Sequence, residues 1–544
     1  MKRTKIALSG IALVSVATLA LAGCASNGGS GDDKTGGSTG GGDTSAIIKT
    51  NGSEPQNPLI PTNTNEVGGG KILDSIFAGL VYYDAKGAPV NDMAEKIETV
   101  DPQTIEITLK KGQKFTDGTE VKADNFIKAW NYGAKFSNKQ LSAYFFEDIE
   151  GYDAAKDSEL TGVTKTDDYH FTIKLNKPAS DFALRLGYSA FYPLPDSAFA
   201  DMKAFGEKPV GNGPYKLAGD DAWKHDESIS LVKNDDYTGG RQAKNGGLDI
   251  IFYATQEAAY SDLQADQVDV IDAIPSSSLA TFQDELGDRA VNQPAAIFQS
   301  FTIPSRLDHF SGEEGQLRRQ ALSMAINREE ITKTIFQGTR TPASDFTSPV
   351  IKGWSDKLTG ADVLKYNPDK AKELWAKADA IKPWTGTFQI AYNADGGHQA
   401  WVDAVTNSIK NTLGIDASGN PFPTFAEART QITDRTIKTA FRTGWQADYP
   451  GLYNFLGPLY ATGAGSNDGD YSNKDFDALL AQGISQTDSS KANDDFQKAQ
   501  EILLQDLPAI PLWYSNVTGG FSKNVDNVEF GWNSVPLYYE ITKK

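Results

Sequence analysis

Apolar and polar side chains alternate in Thr104-Ile-Glu-Ile-Thr-Leu-Lys-Lys-Gly112 and again in His170-Phe-Thr-Ile-Lys-Leu-Asn-Lys-Pro178. Successive strand residues face opposite sides, so both segments are predicted to be half-buried strands. Leu248-Asp-Ile-Ile-Phe-Tyr253 is more continuously apolar and reads as a strand covered on both faces. A helical period runs from Ala123 to Trp130, after the turn Thr116-Asp-Gly118. A second runs from Leu317 to Ile326, with Leu317, Ala321, Met324 and Ala325 on one face. Strands interleaved with helices in this way predict α/β lobes. No repeat of solenoid length and no heptad run interrupts the pattern.

The N-terminus follows a different rule. Lys2, Arg3 and Lys5 precede an apolar run from Ile6 to Ala22, the layout of a secretory signal peptide over residues 1–23. Leu21-Ala-Gly-Cys24 resembles a lipobox, where cleavage leaves a cysteine that carries a lipid, and Cys24 is the only cysteine of the 544 residues. A lipidated Cys24 places the protein on the extracytoplasmic face of a cell membrane. Residues 24–45 are mostly Gly, Ser, Thr and Asp, with almost nothing to bury, and are expected to be a flexible tether. The remaining chain, from Ala46 to Lys544, is too long for one core and implies at least two lobes.

Charge narrows the partners. The chain carries a formal charge of −19, and loss of residues 1–23 removes three positive charges and no negative ones, giving −22. Nucleic acid, which needs a basic face, is not expected as a partner; a soluble monomer is.

The usual signatures of catalysis are missing from the sequence. The four histidines, His170, His225, His309 and His398, fit no zinc spacing, and no Gly-x-Ser-x-Gly elbow occurs in the folded part. Gly68-Gly-Gly-Lys71 lacks the earlier glycine of a phosphate loop and reads as a turn before a helix from Ile72 to Phe77. Asn467-Asp-Gly-Asp470 lacks the remaining ligands of a calcium loop and reads as polar surface. No cofactor, metal or catalytic nucleophile is expected from these residues, which argues against an enzyme. A secreted α/β hydrolase is the alternative from another class.

Several segments then resemble a known family in the order in which they occur. They are Glu54-Pro-Gln-Asn-Pro-Leu59, Ile76-Phe-Ala-Gly-Leu-Val-Tyr82, Phe115-Thr-Asp-Gly-Thr-Glu-Val-Lys-Ala-Asp-Asn125, Pro209-Val-Gly-Asn-Gly-Pro-Tyr215 and Leu317-Arg-Arg-Gln-Ala-Leu-Ser-Met-Ala-Ile-Asn-Arg328. Together they resemble family 5 of the bacterial extracellular solute-binding proteins, which includes the oligopeptide- and dipeptide-binding lipoproteins of ABC peptide importers. The resemblance implies a two-lobed, periplasmic-binding-protein-like α/β fold of the large class, with an extra subdomain in lobe I and a hinge of two chain crossings. It implies lobe I over 46–88, 209–301 and 517–544, the inserted subdomain over 89–208, and lobe II over 302–516. The implied function is capture of oligopeptides between the lobes and their delivery to ABC permease subunits. Relatives with the same fold that carry oligosaccharides, metal chelates or haem supply the other reading.

The resemblance also assigns roles in Arg442-Thr-Gly-Trp-Gln-Ala-Asp-Tyr-Pro450. Asp448 would meet the ligand's α-amino group, since a buried ammonium needs a carboxylate; its plainer role is to cap a turn before Pro450. Trp445 would wall a side-chain pocket or belong to the core. The backbones of Gly444 and Gln446 on one lobe, and of Ala78, Gly79 and Leu80 on the other, would pair with an extended peptide as strand partners. Arg442 and His398 are the matching candidates for the carboxylate end, His398 having an ordinary surface loop as its alternative.

Overall fold

A computed structural model describes residues 43–423 and 425–544. Residues 1–42, with the expected signal segment, Cys24 and nearly all of the expected tether, lie outside the described residues.

Ten strands form one path. In chain order they are β1 (Ile47–Gly52), β2 (Tyr215–Leu217), β3 (Ser228–Lys233), β4 (Gly247–Phe252), β5 (Val270–Ile271), β6 (Ala290–Thr302), β7 (Phe388–Asn393), β8 (Ala417–Phe422), β9 (Ala440–Gln446) and β10 (Ala509–Phe521). Their spatial order is β8-β7-β9-β6-β10-β5-β1-β4-β3-β2. β4 pairs in parallel with β1 and buries Leu248 and Ile250 on one face, while Asp249 and Ile251 on the other are only half-buried. The strand is therefore not covered on both faces, contrary to the expectation from its continuous apolar run.

A separate four-stranded sheet contains both alternating segments, paired antiparallel as Thr104–Leu109 against His170–Lys174. Ile105, Ile107, Leu109, Phe171 and Ile173 point into the core, while Glu106 and Lys174 face out. The helix Ala123–Ala134 lays Phe126 and Trp130 on this sheet. The Trp130 ring meets Phe171 edge-on at 5.7 Å, and its Nε1 donates to the Phe191 carbonyl at 3.0 Å.

Two large apolar cores define two lobes. One contains Ile48, Leu248, Trp130 and Phe171; the other contains Phe298, Ile390, Phe455 and Leu512. β6 and β10 are antiparallel partners along their whole lengths and make the two chain crossings. Val291 of β6 packs on the first core and Ala296 and Phe298 on the second; on β10, Tyr514 belongs to the second core and Val517 to the first. The changeover coincides with a register shift between Pro294 and Ile297. Such a bulge leaves residues outside the ladder, and Pro294 brings no N–H to it, so the ribbon is weakest where the lobes meet.

Gly68–Lys71 are not a turn. They lie inside the helix Val67–Ile76, whose N-cap Glu66 accepts a hydrogen bond from the Gly69 N–H. Gly68 and Gly69 are required by close approach, Gly70 is not: a Cβ on Gly68 would stand 2.3 Å from Ser53 Oγ and one on Gly69 2.6 Å from Thr64 Cγ2, whereas one on Gly70 would meet open space. Among the described residues no helix is long and apolar enough to cross a membrane.

Candidate functional site

β9 has partners on both sides only at its start. β6 accompanies it from Phe441 to Gln446, whereas β7 pairs with Ala440 and Phe441 alone. From Thr443 to Gln446 no strand among the described residues occupies the second edge. That edge runs between two cavities, one of about 490 Å3 bordered by Arg442–Trp445 and one of about 170 Å3 bordered by Gln446–Asp448. Asn65 contributes to the wall of both.

Beyond Gln446 the chain leaves the sheet, and a single buried side chain fixes its path. Asn454, 1% exposed, accepts from the Asp448 N–H at 3.0 Å and from Trp445 Nε1 at 2.9 Å, and donates from Nδ2 to Asp448 Oδ2 at 3.0 Å. Trp445 therefore faces the larger cavity with its indole N–H already satisfied. Asp448 caps no helix: its carboxylate opens on the smaller cavity with one neutral donor and, among the described residues, no ion-pair partner. Burial pushes its carboxyl up to about 6 from 3.8, the Asn454 hydrogen bond offsetting only part of the shift. Its negative charge reaches Tyr144 and Tyr188, whose phenols are raised first by burial and next by Asp448.

At the other end, Arg442 and His398 come together. Arg442 Nε donates to His398 Nε2 at 2.8 Å, and Trp401 Nε1 points at His398 Nδ1 from 3.1 Å. A neutral imidazole has one bare nitrogen, so only one of these contacts is a hydrogen bond at a time. The two side chains are thus in contact with each other, and of the two only Arg442 borders the larger cavity. Beside them, the Asn467–Asp470 loop engages arginines: Asp468 accepts from Arg429 at 2.6 and 2.9 Å, and Asp470 accepts from Arg306 and Arg435 at 2.8 Å each. No group of side chains suited to a metal ion occurs among the described residues.

Gly444 and Gln446 lie on the open stretch of β9; the Gln446 side chain donates to the Asn533 carbonyl at 3.0 Å. Ala78, Gly79 and Leu80 do not border the cleft. All three are buried, and both backbone groups of Ala78 and the carbonyls of Gly79 and Leu80 are used inside lobe I. Asn212 binds both the N–H and the carbonyl of Ala78 at 3.0 and 2.9 Å; Met93 N–H donates to Gly79, and Asp92 and Ala94 N–H groups to Leu80. The cavity that contains Asp448 is bordered from lobe I instead by Thr64–Val67, the lead into the helix Val67–Ile76, by Asp74 within that helix, and by Tyr83 and Tyr188.

The lobes also touch beside Asp448. Tyr449 Oη donates to Asp181 at 2.7 Å, and Arg185 binds Asp181 at 2.9 Å and Asp148 at 2.7 Å. The Arg185 guanidinium lies 5.6 Å from the Tyr449 ring and 5.7 Å from that of Tyr453. The Ser180 N–H donates to the Ile484 carbonyl at 2.6 Å.

The family model described as bacterial extracellular solute-binding proteins, family 5 (middle), matches residues 88–467. The oligopeptide-binding protein OppA of Bacillus subtilis is 27% identical over 494 residues, covering 86% of this chain and 88% of its own. The dipeptide-binding protein DppE of the same organism is 27% identical over 533 residues, 95% of each chain. The solved structure of Burkholderia pseudomallei OppA superposes with a TM-score of 0.77 at 22% identity, covering 92% of this chain and 99% of that one, which shows a common two-lobed fold.

Proposed function

Since the chain belongs to family 5 of the bacterial extracellular solute-binding proteins, we propose that it captures oligopeptides between its lobes and hands them to the permease of an ABC importer. It acts as a monomer held by a lipid on Cys24 at the outer face of a membrane. Binding and release are its whole activity.

Asp448 carries the reading. A carboxylate that burial disfavours, with no cation beside it, is built to receive one. A peptide's α-ammonium fits, and the open edge from Thr443 to Gln446 offers main-chain hydrogen bonds that ignore side chains. Arg442 supplies the opposite charge for the carboxylate end. The peptides named for the two relatives, in OppA and DppE, agree with this ligand class.

The test is the amine. N-acetylation of a tripeptide is expected to weaken binding by more than about 2 kcal/mol, as when one member of a buried pair is removed. Affinity for the free-amine peptide should follow the Asp448 carboxyl. It is flat above the apparent pKa of about 6, falls about tenfold per pH unit below it, and falls again above about 8 as the amine loses its proton. Calorimetric titration across pH with both peptides measures this. Equal affinity for free and acetylated peptides removes Asp448 from the role.

Two further outcomes separate the parts of the proposal. Six residues of extended chain would span about 20 Å at most. The path leaves the strand after Gln446 and the arginine side chain closes part of the remaining gap, so Arg442 meets the carboxylate of a short ligand anchored at Asp448 and not that of a long one. Arg442→Ala should therefore lower affinity for peptides of about two or three residues and spare those of about six; uniform loss in a nested peptide series would make Arg442 a support for β9. Cys24→Ser should release the protein from the membrane fraction or leave an uncleaved precursor. Unchanged processing and membrane association would count against the lipid.

A further inference from the structure

A ligand amine at Asp448 leaves a second carboxylate in the same cavity unanswered. Asp74, in the helix Val67–Ile76, borders both the 170 Å3 cavity that contains Asp448 and an adjoining one of about 90 Å3. Its Oδ1 accepts from Tyr192 Oη at 2.7 Å; Oδ2 has no hydrogen-bond donor among the described residues, and Asp74 forms no ion pair. The nearby cations are committed elsewhere. Lys71 is paired tightly with Asp272. Arg241 pairs with Asp92 at 3.3 Å and donates to the carbonyls of Asp74 and Phe77 at 2.6 and 2.9 Å. Glu66 turns its carboxylate to the start of its own helix.

Once an ammonium meets Asp448, the charge left over on this wall is that of Asp74. Burial raises its carboxyl, with the Tyr192 hydrogen bond and the more distant Arg241 pulling the other way, so a cation brought to Oδ2 relieves an existing cost. Tyr83 and Trp532, edge to face with ring centres 5.5 Å apart, border both cavities. Aromatic faces suit the methylene stem of a long side chain and attract the charge at its end.

We propose that these joined cavities receive the side chain of the ligand's first residue, and that Asp74 selects a cationic one, of lysine or arginine type. The proposal rests on the peptide reading and on Asp448 as the amine anchor. Its test compares Lys-Ala-Ala with norleucine-Ala-Ala, which keeps the stem and drops the charge, against the wild type and Asp74→Asn at pH 7. The wild type should prefer the lysine peptide by about tenfold or more. In Asp74→Asn the two peptides should bind within about twofold of each other, with the norleucine affinity little changed. Equal affinities in the wild type overturn the proposal without any variant. So does a preference that survives Asp74→Asn, or an equal loss of both peptides, which would give Asp74 a structural role through Tyr192. If neither peptide binds the wild type, the peptide reading falls and this falls with it; if norleucine-Ala-Ala binds well and lysine confers nothing, this proposal falls while the peptide reading stands.

Discussion

Asp448→Asn is expected to make the empty protein more stable and nearly blind to free-amine peptides. The carboxyl titrates at about 6 in the folded chain and 3.8 when free, so the folded state holds this proton more tightly than the unfolded one. Stability then falls as pH rises from about 4 to about 6 and stays low above. The full shift is worth about 3 kcal/mol, and about 2 once the opening of the carboxylate to the cavity is allowed for. Asparagine keeps the Asn454 contact in shape without the charge. Its melting temperature should exceed that of the wild type at pH 7.5 and match it near pH 4, while affinity for a tripeptide drops by about 100-fold. Thermal melts of ligand-free protein at both pH values, with titration at the higher one, check both signs. A variant that loses stability at neutral pH, or keeps its affinity, would show that the charge of Asp448 is not what the cleft is built around.

Arg185→Met is expected to be the most damaging single change away from the cleft. Arg185, Asp148 and Asp181 are all buried, and Arg185 pairs with both carboxylates. Burial alone would raise the Asp148 carboxyl; Arg185 and Lys177 outweigh it and hold it below its usual range. Removing the guanidinium strands Asp181 without a cation and leaves Asp148 only Lys177, at 3.0 Å. Breaking such a network typically costs about 3–5 kcal/mol, and adding Asp181→Asn should return part of that. Peptide affinity should also fall, because Asp181 holds Tyr449, the neighbour of Asp448. Chemical denaturation of the single and double variants, followed by titration, measures both effects; a loss below about 1 kcal/mol would mean that water fills the gap.

Local pattern was legible wherever one segment faces one core. The alternation at Thr104–Leu109 and at His170–Lys174 carries its environment in its own residues, whereas Asp448 stands out through the family resemblance and not through any spacing. What escaped depends on distant partners. Nothing in Ile76–Tyr82 tells that Asn212, 134 residues further on, already occupies the Ala78 backbone. Asn454 reads as an ordinary residue until the helix Tyr453–Tyr460 folds back and sets its amide against Asp448 and Trp445. The glycines at 68–70 resemble a turn because local propensity says nothing of Ser53 pressing on the helix. The change of core along β6 is equally silent, since nothing in Ala290–Thr302 itself says which core each end will meet.

The place of β10 in the sheet bears on how the chain comes into being. It lies between β6 and β5, at the centre, yet it is the last of the ten strands to be synthesised. A nascent chain that stops short of residue 509 has two half-sheets with their inner edges bare and neither lobe complete. Closing the structure requires nearly the whole polypeptide, which keeps the growing chain open until late. For a protein read as crossing a membrane before it folds, that delay is an asset, and it hands to strand order a task often left to chaperones.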